Sequence, residues 1–290
     1  MPVNVIPEAV LTIVAATTVF TVMFTLGLGI ALGTFRWVLS RPGLLARALF
    51  SVLVAVPAIA LIVVRALDLP RLADIGIVLM AIAPGAPIAL RRSLDAGGHR
   101  EFAPALQITV ALLAVVSMPL SIAALDVVYA GSASISPAEL ARQVSVAQLL
   151  PLALGMALRH TDPALAKCME GPLTRIAKAL LIAFVLLAVI DAGQAVLGAG
   201  FRIALAIVLV TVLALAIGHL LGGPAPETRT AVAITSAARN PGLALLVATL
   251  NGAAPEVGRT VLAYLLVSAI TIIPYVRWRR RAAGALGSAG

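Results

Sequence analysis

Charge is what this chain has least of. Only 11% of its 290 residues are Asp, Glu, Lys or Arg, against roughly 25% in a soluble domain. Hydrophobic residues make up 61% and mean hydropathy is +1.10, so the chain is read as an integral membrane protein embedded in a lipid bilayer. The single cysteine, Cys168, excludes an intrachain disulfide. Aromatics at 4% leave little for interfacial belts. No HExxH, GxSxG or P-loop occurs, and His99, His160 and His219 lie scattered, with no metal-ligand spacing to Cys168 or the acids. An enzyme, a cofactor and a bound metal therefore have nothing in the sequence to stand on. Lysine occurs only at 167 and 178, beside abundant Arg and Ala, a bias that points to a GC-rich bacterial genome.

What the chain does have is long apolar runs. A helix needs about 20 apolar residues to cross a ~30 Å hydrocarbon core. Nine segments meet that need, at about residues 9–32, 44–64, 73–90, 104–129, 144–158, 176–190, 201–221, 230–250 and 257–275. The fifth and sixth are short and extend outward, back to Pro137 and on to Leu197. The first is too long for a signal peptide and lacks its basic n-region. The connections are short and leave no room for a soluble domain. The expected architecture is one all-α polytopic transmembrane domain over 1–290. Four helices fall in 1–135 and five in 136–281, followed by a flexible cytoplasmic tail at 282–290.

Basic residues give the orientation. With loops assigned alternately, fifteen of the 21 Lys and Arg fall on one side, including Arg36, Arg41, Arg91, Arg92, Lys167 and Arg277. Five fall on the other: Arg65, Arg71, Arg142, Arg202 and Arg259. The positive-inside rule puts the richer side in the cytoplasm. The expected location is the bacterial inner membrane, with the amino terminus outside and the carboxyl terminus cytoplasmic. The net charge of +9 is then topological, and nucleic acid is excluded as a partner.

Two apolar segments are broken. The first break is Ala83-Pro84-Gly85-Ala86-Pro87 and the second Ala237-Ala238-Arg239-Asn240-Pro241-Gly242. A helix broken in lipid leaves backbone groups unpaired, so a break is tolerated only where protein or a polar cavity receives them. Broken helices in matching places of two halves mark the binding site of a secondary transporter. Five helices separate these two, so they run oppositely, as an inverted repeat with two crossed broken helices requires. Pro84 and Gly85 are expected to cross near Pro241 and Gly242. Half-helix amino termini there would direct positive dipole ends at an anion.

Arg239 is the one Lys or Arg assigned to neither side. It lies ten residues, or ~15 Å of helix, beyond Arg229, with no acid at matching depth. An intramembrane charge costs several kcal/mol and faces a functional interior. Either it binds an anion or takes the place of a cation, or it is a structural arginine on the unwound carbonyls of a crossed helix. Asn240 offers a donor and an acceptor beside it. Thr235 and Ser236 lie on the preceding turn, and on a continuous helix Thr235 would share a face with Arg239. Together they form a candidate substrate site for a carboxylate or sulfonate, although Ser and Thr more often bond back to their own helix. Gln107, Thr109 and Gln148 read as interhelical glue, and Met23, Phe24, Gly27 and Gly29 as packing.

Several motifs resemble the bile acid:sodium symporter family. Met23-Phe24-Thr25-Leu26-Gly27-Leu28-Gly29, with Phe35-Arg36 and Arg41-Pro42, resembles the family's second helix and its cytoplasmic loop. Ala83-Pro84-Gly85 resembles its broken fourth helix and Asn240-Pro241-Gly242-Leu243-Ala244 the core of its ninth. Gln148-Leu149-Leu150-Pro151 is similar to part of its sixth. The resemblance implies a panel and a core domain, with substrate carried between them by alternating access. It also implies a divergent member lacking the family's first helix.

The resemblance carries departures too. Where family symporters hold sodium with an acidic residue and a glutamine on the ninth helix, this chain has Thr235 and Arg239. Ala89 and Leu90 stand where the family has Ser-Asn, and the hydroxyl-rich fifth helix corresponds to a mostly apolar 110–117. Sodium near Arg239 would meet like-charge repulsion with few oxygens. The expectation is a transporter of a small organic anion without family-type sodium coupling. Two alternatives stand beside it: a sodium-coupled anion symporter using backbone carbonyls, and a non-transporting receptor or subunit of the same fold. The sequence leaves the oligomeric state open.

Overall fold

The structure is a computed structural model that describes residues 8–29, 34–128, 136–198 and 200–287. Residues 30–32 of the first expected segment and Tyr129 of the fourth lie outside them. All regular structure among the described residues is helical. In chain order the helices are α1 (Glu8–Gly29), α2 (Thr34–Leu39), α3 (Pro42–Phe50), α4 (Val56–Ala66), α5 (Arg71–Ile82), α6 (Pro87–Asp95), α7 (Phe102–Val128) and α8 (Pro137–Val144). They continue with α9 (Leu150–Thr161), α10 (Pro163–Gly198), α11 (Phe201–Leu221), α12 (Pro226–Ala237), α13 (Pro241–Leu250), α14 (Pro255–Thr271) and α15 (Ile273–Gly287). Many open on a proline in their first turn, where the missing N–H would have no intrahelical partner anyway.

Seven stretches among the described residues are long and apolar enough to cross a membrane. The chain is thus an all-α, multi-pass membrane protein. Its outer face is apolar, with Ile62, Leu120 and Ile270 each about two-thirds exposed. The α12–α13 stretch is the exception, since 94% of it is buried against 28–44% for the other six. This broken segment is therefore the centre of the bundle. The interrupted α5–α6 stretch and the 36-residue α10 are additional to the seven. α15 continues helical to Gly287, through most of the stretch expected to be a flexible tail.

Two π-helical turns interrupt helices. Ser51–Ala55 joins α3 to α4, and Ser145–Leu149 joins α8 to α9. In each, the closing N–H reaches back five residues, Val56 to Ser51 O and Leu150 to Ser145 O. In each a proline follows at once, Pro57 or Pro151. A proline inside a helix removes one i→i−4 donor and crowds the carbonyl behind it. Widening one turn to π spacing absorbs that defect and leaves carbonyls free to bond sideways.

Glycines set the closest helix crossings. A Cβ on Gly27 of α1 would strike the Leu152 carbonyl oxygen of α9, and one on Gly155 would strike the Phe24 carbonyl oxygen. Small residues of this kind let membrane helices pack backbone to backbone. Gly76 of α5 likewise meets Thr260 of α14.

The connections gather at two ends. At one end His99 N–H donates to Glu227 O (3.2 Å), Arg280 Nε to Asp95 O (3.1 Å) and Arg279 Nη2 to Pro226 O (3.0 Å). The Arg41 guanidinium lies 3.9 Å over the Trp37 ring, which also stacks on His99. At the other end Arg202 donates to the carbonyls of Leu67 and Asp68, and Asn251 donates to Gln143 at 2.9 Å.

Candidate functional site

The two breaks touch. The Asn240 N–H donates to the Ala83 carbonyl oxygen over 3.0 Å, so each break satisfies a group the other has exposed. The first break is a non-helical stretch from Ala83 to Ala86. Gly85 takes φ +82° there, a left-handed conformation open to glycine without Cβ strain. Ala86 O accepts from Gln107 Nε2 of α7 at 3.0 Å. Gly85 also faces Gln148 of the second π turn, whose Oε1 would lie 3.7 Å from a Cβ on it.

The second break runs from Ala238 to Asn240. Ala238 and Asn240 are extended, and Asn240 Oδ1 caps α13 by accepting from Leu243 N at 3.1 Å. Pro241 and Gly242 open α13, whereas Pro84 and Gly85 lie inside the first break. The residue placed like Pro241 is Pro87, at the start of α6. α12 ends at Ala237, so no continuous helix connects Thr235 to Arg239. The shared face expected from their four-residue spacing does not form, because the extended Ala238 redirects the chain.

Five of the six remaining expected site residues divide between two directions, and Thr235 takes neither. Ser236 and Arg239 turn toward the first π turn. Ser236 Oγ lies 2.8 Å from Ser51 Oγ, and Arg239 Nη2 donates to Val52 O at 3.0 Å. Arg239 is 4% exposed, and its Nε and Nη1 are buried without a partner among the described residues. No acid among the described residues pairs with it. Unmet buried donors cost ~1–3 kcal/mol each, more when charged. Thr235 is buried on α12.

Asn240, Pro241 and Gly242 instead face a cavity of ≈ 140 Å³ between the second break and helices α1, α10 and α14. Its walls are mostly apolar, with Val19, Phe184 and Leu265 prominent. Arg239 also lines this space, whereas Val52, which accepts from its Nη2, and Ser51 do not. Pro84 and Gly85 do not line the cavity; Ala86 does.

Sequence reasoning missed Arg92, which lines the same cavity from α6. The signal was available in the spacing, since Ile88 and Arg92 are four apart on one helix face and both line it. Arg92 reads from sequence as an ordinary loop cation because Arg91 stands beside it. Also missed were the roles of the Val52 carbonyl and of α1, whose Thr18 and Val19 line the cavity. No group of three or more His, Cys, Asp or Glu among the described residues could hold a metal ion.

Residues 16–199 match the model of the Sodium Bile acid symporter family. The matched span takes in both π turns and the first break and ends before the second, so Arg239, Asn240 and Pro241 lie beyond it. No curated protein matches the chain.

Proposed function

The chain belongs to the Sodium Bile acid symporter family, a family of membrane transporters of the symporter kind, and from that premise we propose that it moves a small organic anion by alternating access without family-type sodium coupling. The observation that carries this is Arg239. Its guanidinium is fully buried between the broken α12–α13 and the first π turn, one arm on Val52 O and two nitrogens unpaired. In this reading Arg239 is a tethered cation that stands where a symporter would admit a mobile one. A sodium ion ~4 Å from a guanidinium is repelled by about 4 kcal/mol at an effective dielectric near 20. Few side-chain oxygens are nearby to offset that.

The membrane arrangement proposed with it has nine crossings, the broken α5–α6 and the long α10 included. Two features support an inverted repeat of four and five helices. The breaks meet through Asn240 N and Ala83 O. Each break also faces a π turn, Arg239 bonding to Val52 and Gly85 lying beside Gln148. The basic end of the bundle is proposed to face the cytoplasm of a bacterium, with the amino terminus outside.

The test is uptake of a carboxylate into proteoliposomes with sodium replaced by potassium on both sides. The proposal requires uptake to persist and to be lost in Arg239→Gln. Sodium-dependent uptake would instead favour the coupled reading. That reading has one foothold: the Oε1 atoms of Gln107 and Gln148 are buried and unpartnered near the first break.

A further inference from the structure

The cavity at the second break is lined by Arg92 and Asn240 as well as by Arg239. We infer that Arg92 and the Asn240 side-chain amide hold the carboxylate of the transported molecule, and that this molecule is a short monocarboxylate with an apolar tail. The inference rests on the anion-transport reading above and names its ligand class and contacts.

Four observations converge. Arg92 is half-buried, lines the cavity, and makes no hydrogen bond or ion pair through its guanidinium among the described residues. The other cation lining the cavity, Arg239, has its Nη2 committed to Val52 O, and its Nε and Nη1 are buried. A desolvated cation without a counter-charge is a costly arrangement unless a ligand supplies the anion.

Asn240 is 2% exposed and lines the cavity. Its Oδ1 is fixed by the Leu243 N–H, which sets which way the carboxamide faces, and Nδ2 is buried without a partner. It is a donor held in place with nothing to donate to. Asn240 is also the N-cap of α13, and Gly242 of that helix's first turn lines the cavity. Pro241 has no N–H and the Leu243 and Ala244 amides donate to Asn240, which leaves the Gly242 N–H as the open donor of this turn, and the positive end of the helix dipole favours an anion there.

The remaining walls decide what the rest of the ligand is. Thr18 and Ser268 donate their hydroxyls to carbonyls of their own helices, and Val19, Val22, Phe184, Val185 and Leu265 offer only apolar surface, which suits a hydrocarbon tail and disfavours a second charge. The volume of ≈ 140 Å³ is well below the roughly 300–1,000 Å³ of a site for a drug-sized ligand. A steroid acid does not fit; a chain of a few carbons does.

The experiment uses the purified full-length protein in detergent. Thermal stability and titration calorimetry are recorded with acetate, butyrate, hexanoate and decanoate, and with butyramide as the uncharged match to butyrate. Butyrate or hexanoate is expected to bind, while butyramide and decanoate are not. Arg92→Gln is expected to weaken carboxylate binding at least tenfold and Arg92→Lys to restore part of it. Asn240→Asp keeps the accepting oxygen of the helix cap but swaps the free N–H for a carboxylate, and is expected to abolish binding. Wild-type binding that survives both Arg92→Gln and Asn240→Asp overturns the inference and leaves the anion-transport reading standing. If none of the four carboxylates binds the wild-type protein, the inference also falls, and the anion-transport reading is then decided by the uptake test.

Discussion

The backbone amide of Asn240 and the carbonyl oxygen of Ala83, 3.0 Å apart, join two helix breaks from opposite halves of the chain. Each break exposes backbone groups that lipid could not satisfy, and each supplies a partner to the other. Neither should be stable alone. Disorder introduced at one break is therefore expected to spread to the other. Replacing Pro84-Gly85 by Ala-Ala removes the residue with φ +82°. It should raise hydrogen exchange at 238–243 as well as at 83–86. Exchange confined to 83–86 would contradict the coupling.

Asn240→Ala removes the N-cap of α13 and should cost ~1 kcal/mol, the usual worth of such a cap. Asn240→Ser should cost less, because serine is an uncharged N-cap residue that retains an accepting oxygen. Thermal melts of the two variants check the ordering.

The contact between Ser51 and Ser236 (2.8 Å) is predicted to couple the first π turn to α12. Each single Ser→Ala change leaves a buried hydroxyl unpaired at ~1–3 kcal/mol. The double change removes both, so a double-mutant cycle should show a coupling of at least ~0.5 kcal/mol. Additive losses would mean that the hydroxyls do not meet.

Gly27→Val or Gly155→Val should destabilise strongly, since the added atoms run into backbone on the facing helix. Overpacking a tight core typically costs ~1–3 kcal/mol, and backbone cannot rotate aside as a side chain can. Gly43→Val is the control, with open space where its Cβ would go.

Cys168 is the only cysteine, exposed at the start of α10. The proposed orientation places it in the cytoplasm. A membrane-impermeant maleimide should leave it unlabelled in intact cells with the outer membrane opened, and label it after the inner membrane is permeabilised. Labelling of intact cells would reverse the orientation.

Much of this molecule is legible in its sequence because lipid restricts the choices. Apolar runs of bilayer length become helices, and paired Pro and Gly at 84–85 and 241–242 mark breaks, whereas single prolines such as Pro119 and Pro172 stay inside continuous helices. The chain path through the second break was not legible. Thr235 and Arg239 have helical spacing, yet extended backbone at Ala238 separates them. The direction of the Arg239 side chain was hidden as well, since its partner is a main-chain carbonyl freed by a π turn far away in sequence. Spacing on paper carries no sign of that turn beyond Pro57. Arg92 was hidden for the opposite reason: it belongs to a basic cluster that reads as topology, and only the fold shows that one member lines a cavity.

The central claim is that Arg239 takes the place of a coupling ion. Its most direct test is the melting temperature of the purified protein in sodium chloride against equal potassium or choline chloride. A ligand present at ten times its dissociation constant stabilises the folded state by about 1.4 kcal/mol, enough to see in a melt with no substrate added. The account predicts the same melting temperature in all three salts. A rise specific to sodium would contradict it, and would show that the ion still binds despite the buried arginine.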